Sequence, residues 1–198
     1  MFTGIIEATG HVIALEKVGS NLNLQVQSPL SHLFKIDQSV SHNGVCLTIT
    51  HTSNDTHSVS LVQETLLKTN FNSSKVGDIL NLEQSITLQN KIDGHLVQGH
   101  IDTTAELIEI NNLNGSYELR FSFHPEFNTL IIEKGSICLN GVSLTIFNIS
   151  NTQFSVAIIP YTWEHTNLKF LKLHDLVNIE FDMIGKYVQR FISISTKK

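Results

Sequence analysis

One heptapeptide is written twice in this chain, and any fold must accommodate both copies. Asn43-Gly44-Val45-Cys46-Leu47-Thr48-Ile49 returns 97 positions later as Asn140-Gly141-Val142-Ser143-Leu144-Thr145-Ile146, with serine in place of cysteine. Asn-Gly readily takes positive φ and closes a tight turn into a following strand. The period of two along that strand puts Cys46 and Thr48 on one face and Leu47 and Ile49 on the other. Ser143 and Thr145 share a face by the same argument. A single copy would be no more than a hairpin strand with a wet outer face. Two copies that keep the polar pair point to a repeated site.

The rest of the chain repeats in the same order. Leu22, Leu24 and Val26 alternate with polar residues, as do Tyr117, Leu119 and Phe121. Gly4-Ile5-Ile6-Glu7, read as a strand, corresponds to Gly99-His100-Ile101-Asp102. Ser28-Pro29 suggests a helix start, and Pro125 falls at the matching place. Lys75-x-x-Asp78-x-x-Asn81-x-Glu83 is echoed by Lys172-x-x-Asp175-x-x-Asn178-x-Glu180. A repeat of this length in 198 residues means two domains of roughly ninety-five residues each. The expected boundaries are 1–95, with a polar linker over about 84–94, then 96–186. Many short strands and few helical stretches make each an antiparallel barrel or sandwich, all-β in class. The tail, 187–198, has no counterpart. Tyr187, Val188, Phe191 and Ile192 would share one side of a short helix, although Ile192 and Ile194 also alternate as in a strand. Such an apolar appendix suits the docking of another subunit.

Composition excludes several functions. A net charge of −5 argues against a nucleic-acid footprint or a polybasic membrane patch. No segment has the roughly 18 consecutive apolar residues of a membrane span, and Met1-Phe2-Thr3-Gly4 does not resemble a signal peptide. The two cysteines, Cys46 and Cys138, occupy non-equivalent places and read as free thiols in a reducing compartment, the cytoplasm by default.

His95 and His100, in Gly94-His95-Leu96-Val97-Gln98-Gly99-His100, tempt a metal reading. Their spacing puts them on opposite faces of a strand, and no cysteine pair or acidic cluster supplies further ligands, so no metal is expected. Cys46 with a histidine would also fit a thiol hydrolase, but its counterpart is a serine. Thr65 and Thr162, at matched places after apolar strands, read as helix N-caps.

Met1-Phe2-Thr3-Gly4-Ile5-Ile6-Glu7, both Asn-Gly motifs, Gly94-His95-x-x-x-Gly99-His100 and Asp182-Met183-Ile184-Gly185-Lys186-Tyr187 together closely resemble the riboflavin synthase family of the alpha-chain type, with duplicated lumazine-binding repeats. The resemblance covers essentially the whole chain. It implies two six-stranded Greek-key barrels, a C-terminal helix and a homotrimer, with lumazine synthase as a further partner. It also implies the reaction: two molecules of 6,7-dimethyl-8-ribityllumazine exchange a four-carbon unit, giving riboflavin and 5-amino-6-(ribitylamino)uracil without metal or redox cofactor. Lumazine and yellow fluorescent proteins share the duplicated fold and hold a chromophore without turnover, which makes a non-catalytic antenna protein the alternative.

By resemblance, an N-terminal pocket is lined by Gly4, Ile5, Ile6, Cys46, Leu47, Thr48, Ser60, Leu61, Val62, Gln63, Glu64 and Thr65. A C-terminal pocket takes Gly99, His100, Ile101, Lys134, Ser143, Leu144, Thr145, Ile159, Pro160, Tyr161, Thr162, Trp163 and Glu164. His100 is the expected proton carrier, Ser143 and Thr145 polarise the ring, Cys46 is a contact or a nucleophile, and Phe2 packs at the site. A dismutation needs two related pockets with different parts to play. The halves differ at Cys46/Ser143, Ile5/His100, His42/Leu139 and Glu64/Tyr161. Asn140 stands where many members carry aspartate, which removes a candidate acid.

Overall fold

The computed structural model describes residues 1–195, so the last three residues of the expected tail lie outside the described residues. Each half closes a six-stranded antiparallel barrel. The first contains β1 (Ala8–Val18), β2 (Asn21–Gln27), β3 (Ser39–His42), β4 (Val45–Thr52), β5 (Thr56–Leu61) and β6 (Ile79–Gln84). The second contains β7 (Thr103–Asn112), β8 (Tyr117–Ser122), β9 (Ser136–Leu139), β10 (Val142–Phe147), β11 (Gln153–Ile158) and β12 (Leu176–Phe181). Around both barrels the strands follow one order, first-second-fifth-fourth-third-sixth, which is a Greek-key path. Closure leaves neither sheet with a free edge.

The Asn-Gly turns form as the sequence predicts. Asn43 and Gly44 have φ of 47° and 82°, and Asn140 and Gly141 have 45° and 84°, so each joins its strands with two residues of positive φ. His42 pairs with Val45 and Leu139 with Val142, which fixes the register of the strand behind each turn. Val45, Leu47 and Ile49 face the core while Cys46 and Thr48 face outward.

The two turns meet where the barrels join: a Cβ on either Gly44 or Gly141 would lie 2.8 Å from the other's nitrogen. Six asparagines seal this joint in matched pairs. Asn81 donates to the Asn140 carbonyl at 2.9 Å, and Asn178 donates to the Asn43 carbonyl at 3.0 Å. The Asn167 amide donates to Asn81 Oδ1 and the Asn70 amide to Asn178 Oδ1, both at 2.7 Å. Asn140 is 1 % exposed and accepts from the Asn178 amide. Its exchange for aspartate therefore bears on the joint between barrels, not on an acid at a pocket.

Four local expectations are corrected. Residues 4–7 and 99–102 are not strands; Gly4 and Gly99 have φ of 78° and 83°, and their amides are taken by buried carboxylates instead of a neighbouring strand. Ser28-Pro29 leads only to a single 3₁₀ turn, Ser31–Leu33. Thr65 and Thr162 lie inside the short helices α1 (Gln63–Lys68) and α2 (Pro160–His165). The capping threonines are Thr69 and Thr166, whose hydroxyls accept from the Phe71 and Leu168 amides of the 3₁₀ turns that follow. Finally, the tail helix α3 (Met183–Ser195) starts before residue 187, because the Asp182 carboxylate accepts from the Ile184 amide at its first turn.

Candidate functional site

The polar face of each repeated strand is covered by a segment from the opposite half of the chain. The Ser143 amide of β10 donates to the Gly4 carbonyl at 2.8 Å, and the Cys46 amide of β4 donates to the Gly99 carbonyl at 2.9 Å. Ile6 packs on the core of the second barrel and Ile101 on that of the first. These contacts bring Gly99 and Ile101 to the first barrel beside Cys46, and Gly4 and Ile6 to the second beside Ser143, where the sequence grouped each segment with its own half. Strand order along the chain cannot reveal this pairing, because it is made by irregular segments that precede the first strand of each barrel.

Glycine is required at both crossings. A Cβ on Gly4 would lie 2.6 Å from the Ser143 Cβ, and one on Gly99 would lie 2.5 Å from the Cys46 Cβ. Two glutamates that the sequence repeat showed without a role hold the segments down. Glu83 of β6 accepts from the Thr3 amide, the Thr3 hydroxyl and the Gly4 amide at 2.6, 2.8 and 3.0 Å. Glu180 of β12 accepts from the amides of Gln98, Gly99 and His100 at 2.6, 2.8 and 2.8 Å. Burial pushes both carboxyls above the ordinary range, while the donated amides pull them back.

The remaining expected residues divide by exposure. Thr48, Val62, Gln63, Glu64, His100 and Ile5 are exposed, as are Lys134, Thr145, Ile159, Pro160, Tyr161 and Glu164. Cys46, Ser60, Thr65, Ser143, Leu144 and Thr162 are half-buried. Leu47 and Leu61 are buried in the first core, so their side chains support the barrel and not a pocket. His42 is likewise wholly buried in the core, and cannot distinguish one pocket from another. Trp163 stacks on Tyr117 with centroids 3.9 Å apart. Phe2 is fully buried, bridged to Val97, and packs with Cys46 and Cys138.

The Gly94–His100 stretch is irregular, with a single bridge from Val97 to Phe2, and its two histidines differ in exposure. His100 is exposed, whereas His95 is buried with Nδ1 2.7 Å from Ser143 Oγ. Among the described residues no group of three or more His, Cys, Asp or Glu is placed to hold a metal ion, and no helix is long and apolar enough to cross a membrane. A cleft of about 570 Å³ lies at the joint between barrels among Asn43, Asn140, Lys75 and Lys172. It contains none of the expected pocket residues.

Comparison with known proteins agrees with this architecture. The lumazine binding domain matches twice, over residues 3–85 and 98–182. Riboflavin synthase of Bacillus amyloliquefaciens is 37% identical over 195 residues, covering 97% of this chain and 90% of that protein. Riboflavin synthase of Schizosaccharomyces pombe is 34% identical over 197 residues, with 97% and 94% covered, and that of Escherichia coli is 37% identical over 185, with 92% and 87% covered. The solved structure of LumP complexed with riboflavin superposes with a TM-score of 0.86 at 22% identity, over 92% of this chain and all of LumP, a likeness of fold. With two complete domain repeats and relatives matched along nearly their whole length, this chain belongs to the riboflavin synthase family of lumazine-binding proteins.

Proposed function

We propose that this protein is a riboflavin synthase, converting two molecules of 6,7-dimethyl-8-ribityllumazine into riboflavin and 5-amino-6-(ribitylamino)uracil. The crossing of Gly4 to Ser143 and Gly99 to Cys46 is the observation that carries the reading. It builds two sites of one design, each a polar strand face under a glycine-led segment, as a reaction between two copies of one molecule demands. The sites also differ, which a donor and an acceptor require. The first joins Cys46 and Thr48 to His100; the second joins Ser143 and Thr145 to Ile5.

Holding two ring systems in register removes much of the cost of bringing them together, as much as about 7–11 kcal/mol in well-oriented cases. The lumazine is itself acidic at its 7-methyl group and electrophilic at ring carbon 7. The protein's task is then to orient the rings and move protons. His100, with its amide held by Glu180 and its side chain exposed, is the proton carrier of the first site.

Both sites are open, and α3 presents Ile184, Tyr187, Val188 and Phe191 to solvent. A homotrimer joined through this helix, with the first barrel of one subunit facing the second barrel of its neighbour, would cover them. A cytoplasmic location and a partnership with lumazine synthase belong to the same reading. Incubating the pure protein with the lumazine tests it: riboflavin fluorescence should appear as lumazine is consumed two for one. Stoichiometric binding without riboflavin would instead identify an antenna protein.

A further inference from the structure

Cys46 and Ser143 occupy the same place in the two repeats, but their surroundings are chemically opposite. Cys46 packs in an apolar cluster with Phe2, Val97 and Cys138. Ser143 is bonded through Oγ to His95 Nδ1 at 2.7 Å.

The chain takes care to place this histidine. Its own amide donates to the Thr3 carbonyl at 3.1 Å. The preceding Gly94 lies so close to both partners that a Cβ there would be 2.1 Å from the Thr3 oxygen and 2.8 Å from the Ser143 Cβ. The ring is about nine-tenths buried, at 9 % exposure. Burial lowers its pKa, against the opposing pull of the Asp182 carboxylate, so the imidazole is neutral near pH 7 and one ring nitrogen is free to accept a proton.

We propose that His95 is the positioning residue of the second site, accepting the Ser143 hydroxyl proton so that Ser143 acts there as the oxygen nucleophile. The inference rests on the riboflavin synthase reading and assigns an activated nucleophile within it. In the step, a lone pair on Ser143 Oγ bonds to ring carbon 7 of the bound lumazine. The Ser143 O–H bond breaks toward His95 Nδ1, and the displaced π pair moves into the conjugated pyrimidinedione, which becomes anionic. The reverse transfer restores both residues, so no outside oxidant or base is needed. A nucleophile held against a base by a hydrogen bond is the general arrangement for activating a hydroxyl. Cys46 packs instead against Phe2, Val97 and Cys138, which makes the two sites unequal.

His95→Asn tests this, because its side-chain oxygen can still accept a hydrogen bond from Ser143 but cannot carry away the proton. In single-turnover assays the variant should convert the lumazine about 10²-fold more slowly, while its affinity, followed by lumazine fluorescence, stays within about threefold. The wild-type limb of the pH–rate profile that reports His95 should vanish. Ser143→Ala should be similarly slow, and the double variant no slower than Ser143→Ala alone. Nitrogen NMR of the imidazole gives a readout independent of turnover: wild-type His95 should be the Nε2–H tautomer with Nδ1 accepting, and Ser143→Ala should shift the Nδ1 signal. A fast His95→Asn variant with an unchanged pH profile, multiplicative losses in the double variant, or an Nδ1–H tautomer would overturn the proposal. Should His95→Asn fail to fold, the NMR comparison with Ser143→Ala decides alone. A wild-type protein that makes no riboflavin refutes the enzyme reading itself, a result distinct from all of these.

Discussion

Gly4 and Ser143 come from opposite halves of the chain, yet the Gly4 carbonyl is hydrogen-bonded to the Ser143 amide at 2.8 Å, with space between them for no more than a hydrogen atom. The relation is mirrored by Gly99 and Cys46. Each site is thereby a product of both halves.

Gly4→Ala and Gly99→Ala should accordingly damage both stability and lumazine binding. Each combines a positive φ with a Cβ closer than 3 Å to backbone. Gly19→Ala is the control, because Gly19 has a φ of 62° but nothing within 4 Å. It should cost only the conformational strain, about 1 kcal/mol. Thermal unfolding and fluorescence titration of the three variants will separate strain from collision; equal losses in all three would contradict the crossing.

His100→Gln should lower kcat by about 10²–10⁴ with little change in lumazine affinity, as for the loss of a general acid or base. Cys46→Ser, which makes the first motif match the second, should leave clear activity. The crossing adds a sharper expectation: His100 should couple energetically to Thr48 in a double-mutant cycle. Single-turnover rates of the wild type, the two single variants and the double variant measure this directly.

The first barrel should fail first in acid. Ser31 Oγ lies 2.8 Å from His57 Nδ1, His57 Nε2 lies 2.8 Å from His42 Nε2, and His42 Nδ1 lies 3.1 Å from the Val40 carbonyl. Because a carbonyl only accepts, His42 carries its proton on Nδ1, His57 donates from Nε2, and Ser31 donates to His57. Burial and the neighbouring His57 bring His42 to about 3, and burial brings His57 to about 4. With folded values below the ordinary 6.5, the unfolded chain binds more protons between them. Stability is full above pH 6.5 and falls as the pH drops toward 4 and then 3, by up to about 1.4 kcal/mol per histidine for each unit. The second barrel has Leu139 and Phe154 at these places. The double variant His42→Leu, His57→Phe should move the acid-unfolding midpoint, followed by near-UV circular dichroism, to lower pH.

Asn167→Ala should loosen the joint between barrels. It removes donors to Asn43 Oδ1 and the Ile79 carbonyl and an acceptor for Asn81, leaving buried polar groups unpaired. The expected loss is about 1–3 kcal/mol for each group left unsatisfied. Denaturant unfolding should show a lower midpoint, and a split transition would mean that the barrels have become independent.

Activity should survive a chelator. Among the described residues no group of three or more His, Cys, Asp or Glu is placed to bind a metal. Loss of turnover with chelator, restored by Zn²⁺, would contradict this.

The sequence alone determined the repeat, the strand alternation and the turns. The 97-residue repeat, the alternation of Leu22, Leu24 and Val26, and the two Asn-Gly turns specified duplicated antiparallel domains with a polar face on each repeated strand. Positive φ at Asn43 and Asn140 and a side-chain period of two are local properties of the backbone, and they are read where they are written. Tertiary structure decided the membership of each site. Gly4 and Gly99 look like strand residues of their own halves, but buried Glu83 and Glu180 take the amides of these segments and turn their carbonyls toward the opposite barrel. It also decided which histidine does what: His42 and His57 satisfy each other in a core, His100 is left exposed, and His95 meets Ser143. None of these pairings has a sequence period, because each joins positions that only barrel closure and the joint between barrels bring together.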